Sequence, residues 1–380
     1  MKALIHGVHF HNKGAELMLR AVNQQVQKWN SNNCCCLFFH DGKFQQRNKA
    51  EVNHLIRFKY QPRRVPYANE IANLLTSLTP KIFRQKLNIV LESEIDTIFD
   101  ASGLAFSDKW GAKITESAAH NFTRWKKQGK KIILLPQAFG PFSDAQTKKN
   151  FAKIVEVADL IFARDQVSYK IANQFSTLEN KIRIAPDFTN LLEGIEPEYI
   201  EKLSNRPCII PNKRMLDKTS TQVSEKYMSF LLDGINYLSS KQLRPFILIH
   251  ETFDASVARA IQKRLKYPID IMKEENPIYL KGIISKCIFV IGSRFHGLVS
   301  SFSQGIPCIG TGWSHKYQML FNDYKCPDLL IDLEQNDYFN KFDLLIEKKS
   351  RNQFSKIIRA ESENQKIKSQ QMWSEVYASV

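Results

Sequence analysis

Arg294-Phe295-His296-Gly297 sets a guanidinium and an imidazole two positions apart within the stretch 286–317. Arginine offers a planar fork that meets phosphate or carboxylate with two bonds. Histidine moves a proton near neutral pH. Further along, His315 and Lys316 form a second cationic pair, and Arg164 stands in a similar setting earlier in the chain. Together they suit an anionic substrate whose reaction includes a proton transfer. Any one of them alone is as readily a surface charge or a histidine satisfied in place. Their recurrence on consecutive turns is what points to a site.

The elements around them supply the positioning. Residues 287–291 are apolar and uncharged, with three β-branched side chains, and read as a buried strand of a parallel sheet. Gly292 ends the run, and residues 293–297 are expected to make the turn. From Leu298 the spacing of Leu298, Val299 and Phe302 becomes helical, and Gly305-Ile306-Pro307 stops it. A second strand at 306–309 leads into a turn with Trp313, His315 and Lys316. Open α/β sheets bind ligands at the carboxyl ends of their strands, where helix N-termini present free N–H groups. Arg294 and His296 fall at one such end, and His315 and Lys316 at the next.

The same alternation runs through most of the chain. Residues 2–8 read as a strand, and a helix is expected from Ala15, with Leu19, Val22, Val26 and Trp29 on one face. The turn between them lacks G-x-G-x-x-G and the P-loop pattern, which disfavours a dinucleotide or a Walker-type nucleotide. Glu16 suits the helix dipole there, and could equally be a catalytic or acceptor-binding carboxylate. Further strands are expected at 96–101, 132–135, 160–163 and 182–185. The turn after 96–101 carries Ser102, Gly103 and Asp108, and Arg164-Asp165 ends the strand at 160–163. A second series follows at 208–210, 246–249, 269–272, 288–291 and 306–309.

The implied architecture is α/β: two Rossmann-like domains facing a cleft. Residues 1–190 form the first, 191–206 the crossover and 207–345 the second, donor-binding domain. Residues 346–380 form a charged helical segment, with packing back on the first domain as its expected place. Residues 43–92 interrupt the pattern with ten Lys or Arg against three Glu, interleaved with Ile71, Leu74, Leu75, Leu78, Ile82 and Phe83. Pro62 and Pro66 keep this stretch from being one helix. It reads either as a basic amphipathic element on an acidic membrane surface or as a solvated excursion packed on the first domain.

Composition narrows the class. The 380 residues are 43% hydrophobic and 24% charged, those of a soluble globular protein. No apolar run is long enough to span a bilayer, and the N-terminus lacks signal-peptide anatomy. The expected location is cytoplasmic, with peripheral contact at the inner face of the membrane as an extension. The net charge of +16 favours an acidic partner: a phosphorylated substrate, an anionic membrane face or nucleic acid. The clustered motifs lie at strand ends and no nucleic-acid module is recognisable, which argues against nucleic acid. Seven cysteines include Cys34-Cys35-Cys36 and no C-x-x-C pair. In a strand those three alternate faces and cannot share one tetrahedral metal, so they read as small reduced apolar residues.

Taken in order, several pieces resemble the polysaccharide pyruvyltransferase family over nearly the whole chain. They are Asn12-Lys13-Gly14, Ser102-Gly103 with Asp108, Gly140-Pro141, and Ala163-Arg164-Asp165 with Ser168. Ser293-Arg294-Phe295-His296-Gly297, Gly305-Ile306-Pro307 and Trp313-Ser314-His315-Lys316-Tyr317 complete the set. Two positions depart: Ala15 stands where such proteins carry Asp, and Ser102 where they carry Gly.

The resemblance implies a fold like that of two-domain, GT-B type glycosyltransferases. It also implies transfer of pyruvate from phosphoenolpyruvate to two hydroxyls of a saccharide, often lipid-linked, as a cyclic ketal. On that reading His296 is the general acid, and Arg294 and Arg164 clamp the donor. Phe295, Gly297, Lys316 and His315 line the donor site. Glu16 accepts a proton, and Asn12, Ser102, Gly103 and Asp108 lie toward the acceptor or cleft. No cofactor beyond phosphoenolpyruvate as co-substrate and no metal are expected. A glycosyltransferase using a nucleotide-sugar is the competing enzyme.

Overall fold

The computed structural model describes residues 1–57, 68–334 and 338–380. Lys59, Pro62, Arg63, Arg64 and Pro66 lie outside them. The chain forms two units, each built on one parallel sheet.

The first unit comprises Met1–Phe10, Met18–Phe188 and Ser369–Val380. Its elements begin with β1 (Lys2–His6), α1 (Lys13–Trp29, whose first turn belongs to the second unit), β2 (Cys34–Phe38), α2 (Phe44–Lys49) and β3 (Asn53–Leu55). They continue through α3 (Ala68–Leu78), α4 (Lys81–Lys86), β4 (Ile89–Val90), β5 (Thr97–Asp100) and α5 (Ala112–Lys127). The last are β6 (Lys131–Gln137), α6 (Ala145–Val157), β7 (Leu160–Ala163), α7 (Gln166–Asn173) and β8 (Ile182–Ile184). The strands lie in the order β4-β3-β2-β1-β5-β6-β7-β8. Strand order reverses between β1 and β5, which is where a doubly wound sheet opens a crevice. There Gly7, at φ +82°, passes so close to Ser102 that an added Cβ would lie 2.0 Å from its Oγ.

The sequence suggested that residues 43–92 interrupt the pattern; their described residues instead join the sheet. They extend it by two strands, β3 and the edge strand β4. Strands of three and two residues, one holding Asn53 and His54, leave no apolar run to read. The segment is tied down by buried Glu92. Arg57 Nη1 lies 2.6 Å from both its oxygens. Trp125 Nε1 donates to it at 2.7 Å, and Arg124 pairs with it as well. Lys130 Nζ donates to the carbonyls of Glu92 and Ile95 at 2.7 Å each.

The second unit comprises His11–Leu17 and Thr189–Lys368. It contains β9 (Cys208–Ile210), α8 (Arg214–Asp217), α9 (Thr221–Ser240), β10 (Phe246–Ile249), α10 (Ala255–Arg264) and β11 (Asp270–Lys273). Then come α11 (Pro277–Ser285), β12 (Val290–Gly292), α12 (Phe295–Phe302), β13 (Cys308–Gly310), α13 (His315–Asp323), α14 (Phe339–Ile346) and α15 (Lys348–Ser379). The order is β11-β10-β9-β12-β13, all parallel, with its reversal between β9 and β12. α11 starts on Pro277 behind an Asn276 cap, which suits a residue lacking an N–H.

Three boundaries differ from the sequence reading. α1 starts at Lys13, and residues 11–17 associate with the second unit. α12 starts at Phe295, so Phe295, His296 and Gly297 form its first turn and Arg294 is its N-cap. Gly297 is tolerated there because its small size allows close packing: a Cβ would meet Ile210 Cδ1 at 3.1 Å. His315 and Lys316 likewise open α13. At the C-terminus, α15 carries Trp373 into the first unit, where its ring meets Phe99 and Phe188 at 5.9 and 6.3 Å.

The Glu92 cluster sets an acid dependence. Burial pushes the carboxyl up, but Arg124, Arg57 and the Trp125 N–H outweigh it and bring it from 4.5 down to about 2. A depressed carboxylate stabilises the fold above its unfolded value and loses that contribution as pH falls through the folded one. Glu92→Gln should cost about 3–5 kcal/mol at neutral pH. In urea titrations the gap between variant and parent should narrow as pH falls from 4.5 toward 2; a constant gap contradicts this assignment.

Candidate functional site

The second sheet's reversal point gathers most of the chemistry predicted from sequence. Arg294 leaves the carboxyl end of β12 and is buried, at 7% exposure. Its Nε donates to Asp254 Oδ2 at 2.8 Å, Nη2 pairs with Asp254 Oδ1, and Nη1 pairs with Glu251. Asp254 Oδ1 also accepts the Lys213 N–H at 2.9 Å, and Oδ2 accepts that of Glu251 at 3.0 Å. The fork expected to clamp a substrate is thus already engaged by two carboxylates. The reason is electrostatic: a guanidinium this deep requires counter-charge. Burial lowers its pKa, but Asp254 and Glu251 more than reverse this and hold it above the ordinary arginine value.

The turn before α12 is fixed by neutral hydrogen bonds. Asn212 Nδ2 donates to the Ser293 carbonyl at 2.5 Å, and Tyr317 Oη donates to the same oxygen at 2.9 Å. Tyr227 Oη accepts the Asn212 N–H at 2.8 Å and bonds Ser293 Oγ. Helix α12 therefore begins from a rigid corner.

His296, half-buried in the first turn of α12, lies edge-on to Phe295 at 5.5 Å. Gly14 packs against its ring so closely that an added Cβ would lie 2.4 Å from Nδ1. Residues 11–17 reach this corner by joining the segment after β10. Asn12 forms an antiparallel bridge with Glu251, and the Lys13 N–H donates to the His250 carbonyl at 3.2 Å. Asn12 Oδ1 accepts the Gly14 N–H at 2.9 Å, so Asn12 shapes the helix start. Glu16 is buried, and Lys13 Nζ donates to its Oε2 at 3.0 Å and to the Glu275 carbonyl at 2.6 Å.

Lys316 Nζ stands 5.1 Å from the Phe295 and Trp313 ring centres and 5.4 Å from that of Tyr317. Such an aromatic seat holds the ammonium by cation–π attraction. His315 is half-buried at the start of the same helix. The second unit thus brings together Arg294, Phe295, His296, Gly297, Lys316, Asn12 and Glu16.

His250 was missed from sequence. It ends the apolar run of β10 and is 1% exposed, with neither ring nitrogen hydrogen-bonded among the described residues. Burial, with Arg294, His296 and Lys13 nearby, holds its imidazole well below the ordinary histidine range. A histidine at the carboxyl end of an apolar run, followed by Glu251, was the available signal.

The remaining predicted residues lie in the first unit. Arg164 ends β7 and pairs with Asp187 at 3.1 Å, both buried. Its neighbour Asp165 instead caps α7, accepting the Ser168 N–H at 2.7 Å and its Oγ–H at 3.0 Å. Ser102 Oγ donates to Asp100 Oδ2 at 2.9 Å. Asp100, also missed from sequence, is fully buried and further accepts from Gln137 Nε2 at 2.8 Å, with His6 Nδ1 at 2.6 Å. Gly103 follows with φ +72°. Asp108 holds the loop before α6 through the N–H and Oγ of Ser143, at 2.5 and 2.6 Å. Among the described residues no group of three or more His, Cys, Asp or Glu is arranged to hold a metal.

Known proteins locate this frame. The chain is similar to Anabaena Alr3699/HepE, solved in complex with UDP-glucose, at 14% identity and TM-score 0.63 over 100% of both chains. It is similar to a glycosyltransferase from Rickettsia africae ESF-5 at 14% identity and TM-score 0.60, covering 99% of this chain and 98% of that one. The UDP-GlcNAc 2-epimerase from Neisseria meningitidis, bound to UDP-GlcNAc, follows at 12% and 0.57, covering 96% and 98%. At such identities the likeness defines the fold: two Rossmann-like domains with parallel sheets, as in GT-B glycosyltransferases and epimerases. No curated protein sequence matches the chain. The family model described as polysaccharide pyruvyl transferase matches residues 12–315, from Asn12 at the start of α1 to His315 at the start of α13. By that match the chain belongs to the polysaccharide pyruvyl transferase family.

Proposed function

We propose that this transferase moves pyruvate from phosphoenolpyruvate onto two hydroxyls of a saccharide, forming a cyclic ketal. The observation that carries the reading is the corner where β12 meets α12. There a buried guanidinium, a half-buried imidazole and the first N–H groups of a helix share one turn. The donor is a small frame bearing a phosphate and a carboxylate. Its C3 must take a proton before C2 becomes electrophilic.

His296, as the imidazolium, gives C3 that proton. The first hydroxyl oxygen bonds to C2, the C2–O bond to phosphate breaks, and the second hydroxyl closes the ring. One hydroxyl proton returns to His296, and the other leaves through Glu16 to the departing phosphate. The balance is one donor and one diol giving one ketal and one phosphate. Lys316 faces the phosphate as it leaves. His315, Phe295 and the N–H of Gly297 complete the donor site, and Asn12 borders the acceptor.

Arg294 takes a role shaped by its partners. The donor carboxylate replaces Glu251 on Nη1, while Asp254 keeps the other edge of the guanidinium in place. The acceptor is a lipid-linked precursor, and the enzyme works at the cytoplasmic face of a membrane.

His296→Ala should lower turnover by roughly 10²–10⁴, with donor affinity largely kept. Arg294→Lys should weaken donor binding, because an ammonium cannot keep Asp254 and take a second anion in one plane. Glu251→Gln should lower the KM for donor by removing the competing charge; an unchanged or raised KM contradicts the exchange. Labelled phosphoenolpyruvate and a panel of nucleotide-sugars, offered to the parent enzyme with saccharide acceptors, decide the donor. Transfer from a nucleotide-sugar alone would make the protein a glycosyltransferase on this frame.

A further inference from the structure

Helix α3 is amphipathic in the wrong sense for a soluble protein. Ile71, Leu74, Leu75 and Leu78 fall on one helical face, and that face is turned to solvent. Ala72 and Thr76 are the buried positions, and Thr76 Oγ bonds back to the Ala72 carbonyl at 2.6 Å. Helix α4 continues the surface: Ile82 and Phe83 point out, and Leu87 follows. All seven apolar side chains are between 51 and 71% exposed. Arg84 turns inward to Glu94, at 3.0 Å.

Contiguous exposed apolar surface of this kind marks a contact site, and its chemistry selects the partner. Helix α3 carries one acidic residue, Glu70, ahead of its apolar face; from Ile71 to Leu87 there is none, and the exposed charges there are Lys81 and Lys86. Protein interfaces favour Tyr, Trp, Phe, Met and Arg at their centres and are depleted in lysine; of the favoured types this surface carries Phe83, and its other exposed apolar side chains are aliphatic. Aliphatic side chains rimmed by lysine are instead what beds into the headgroup boundary of an acidic bilayer. The net charge of +16 adds a long-range attraction to such a surface. No described helix is long and apolar enough to cross a membrane, so the contact is one-sided. The segment has a firm base in the Glu92 cluster and the Arg84–Glu94 pair.

We propose that the solvent-facing side of α3 and α4 is a membrane-docking surface for an anionic lipid bilayer. The proposal is independent of the donor chemistry. Flotation of the full chain with vesicles of phosphatidylcholine and an equal part of phosphatidylglycerol should recover it in the lipid fraction, less so at high salt. Vesicles of phosphatidylcholine alone should bind it more weakly. Leu75→Glu with Leu78→Glu should weaken binding about tenfold or more, with the melting temperature kept or raised. Lys81→Gln with Lys86→Gln should weaken it about fivefold per charge and flatten the salt dependence. Absence of binding to the acidic vesicles, or equal binding by the leucine variant, overturns the proposal. So does sedimentation showing a dimer that the leucine variant dissolves while lipid binding is absent.

Discussion

A positive charge cannot remain 7% exposed without nearby negative charge, and that constraint on Arg294 organises the second unit. Satisfying it draws Asp254 and Glu251, at the start of α10, onto the corner between β12 and α12. Those carboxylates in turn fix neighbouring backbone, because Asp254 also accepts the N–H groups of Lys213 and Glu251. One ion cluster therefore ties together the carboxyl ends of β9, β10 and β12. Removing Arg294 would instead leave two buried carboxylates side by side with no cation between them.

The rest of the corner follows from strand order. Parallel strands end together, so their loops collect on one edge, and the reversal between β9 and β12 opens that edge. Asn212 and Tyr227 hold Ser293, which orients the first turn of α12. Residues 11–17 then cover the neighbouring edge: the Lys13 N–H satisfies the His250 carbonyl, and Gly14 allows the His296 ring its position. Glu16, the carboxylate on this turn, is held there as an ion pair with Lys13.

Much of this was legible in the residues. Charge-free apolar runs marked β7, β9 and β10 to the residue, since a strand buried on both faces admits little else. The cationic turns were visible because Arg and His stood at the ends of such runs. What stayed hidden was long-range or short-lived in sequence. Asp254 lies forty positions from Arg294, and no spacing rule connects them. β3 and β4 are too short and too polar to show a period. The apolar spacing of α3 was plain, but periodicity gives a face without saying which way it points.

One consequence concerns the order in which the protein is made. The first unit holds Met1–Phe10 and Ser369–Val380 in the same body, and Trp373 and Val376 are fully interior to it. On the ribosome its eight-stranded sheet can assemble early, yet the cover over Phe99 and Phe188 emerges only with the last helix. The second unit, by contrast, already has its N-terminal contribution in hand when Lys368 appears. The half that starts first is thus finished last, and its nascent form carries an open apolar seam that a chaperone would recognise.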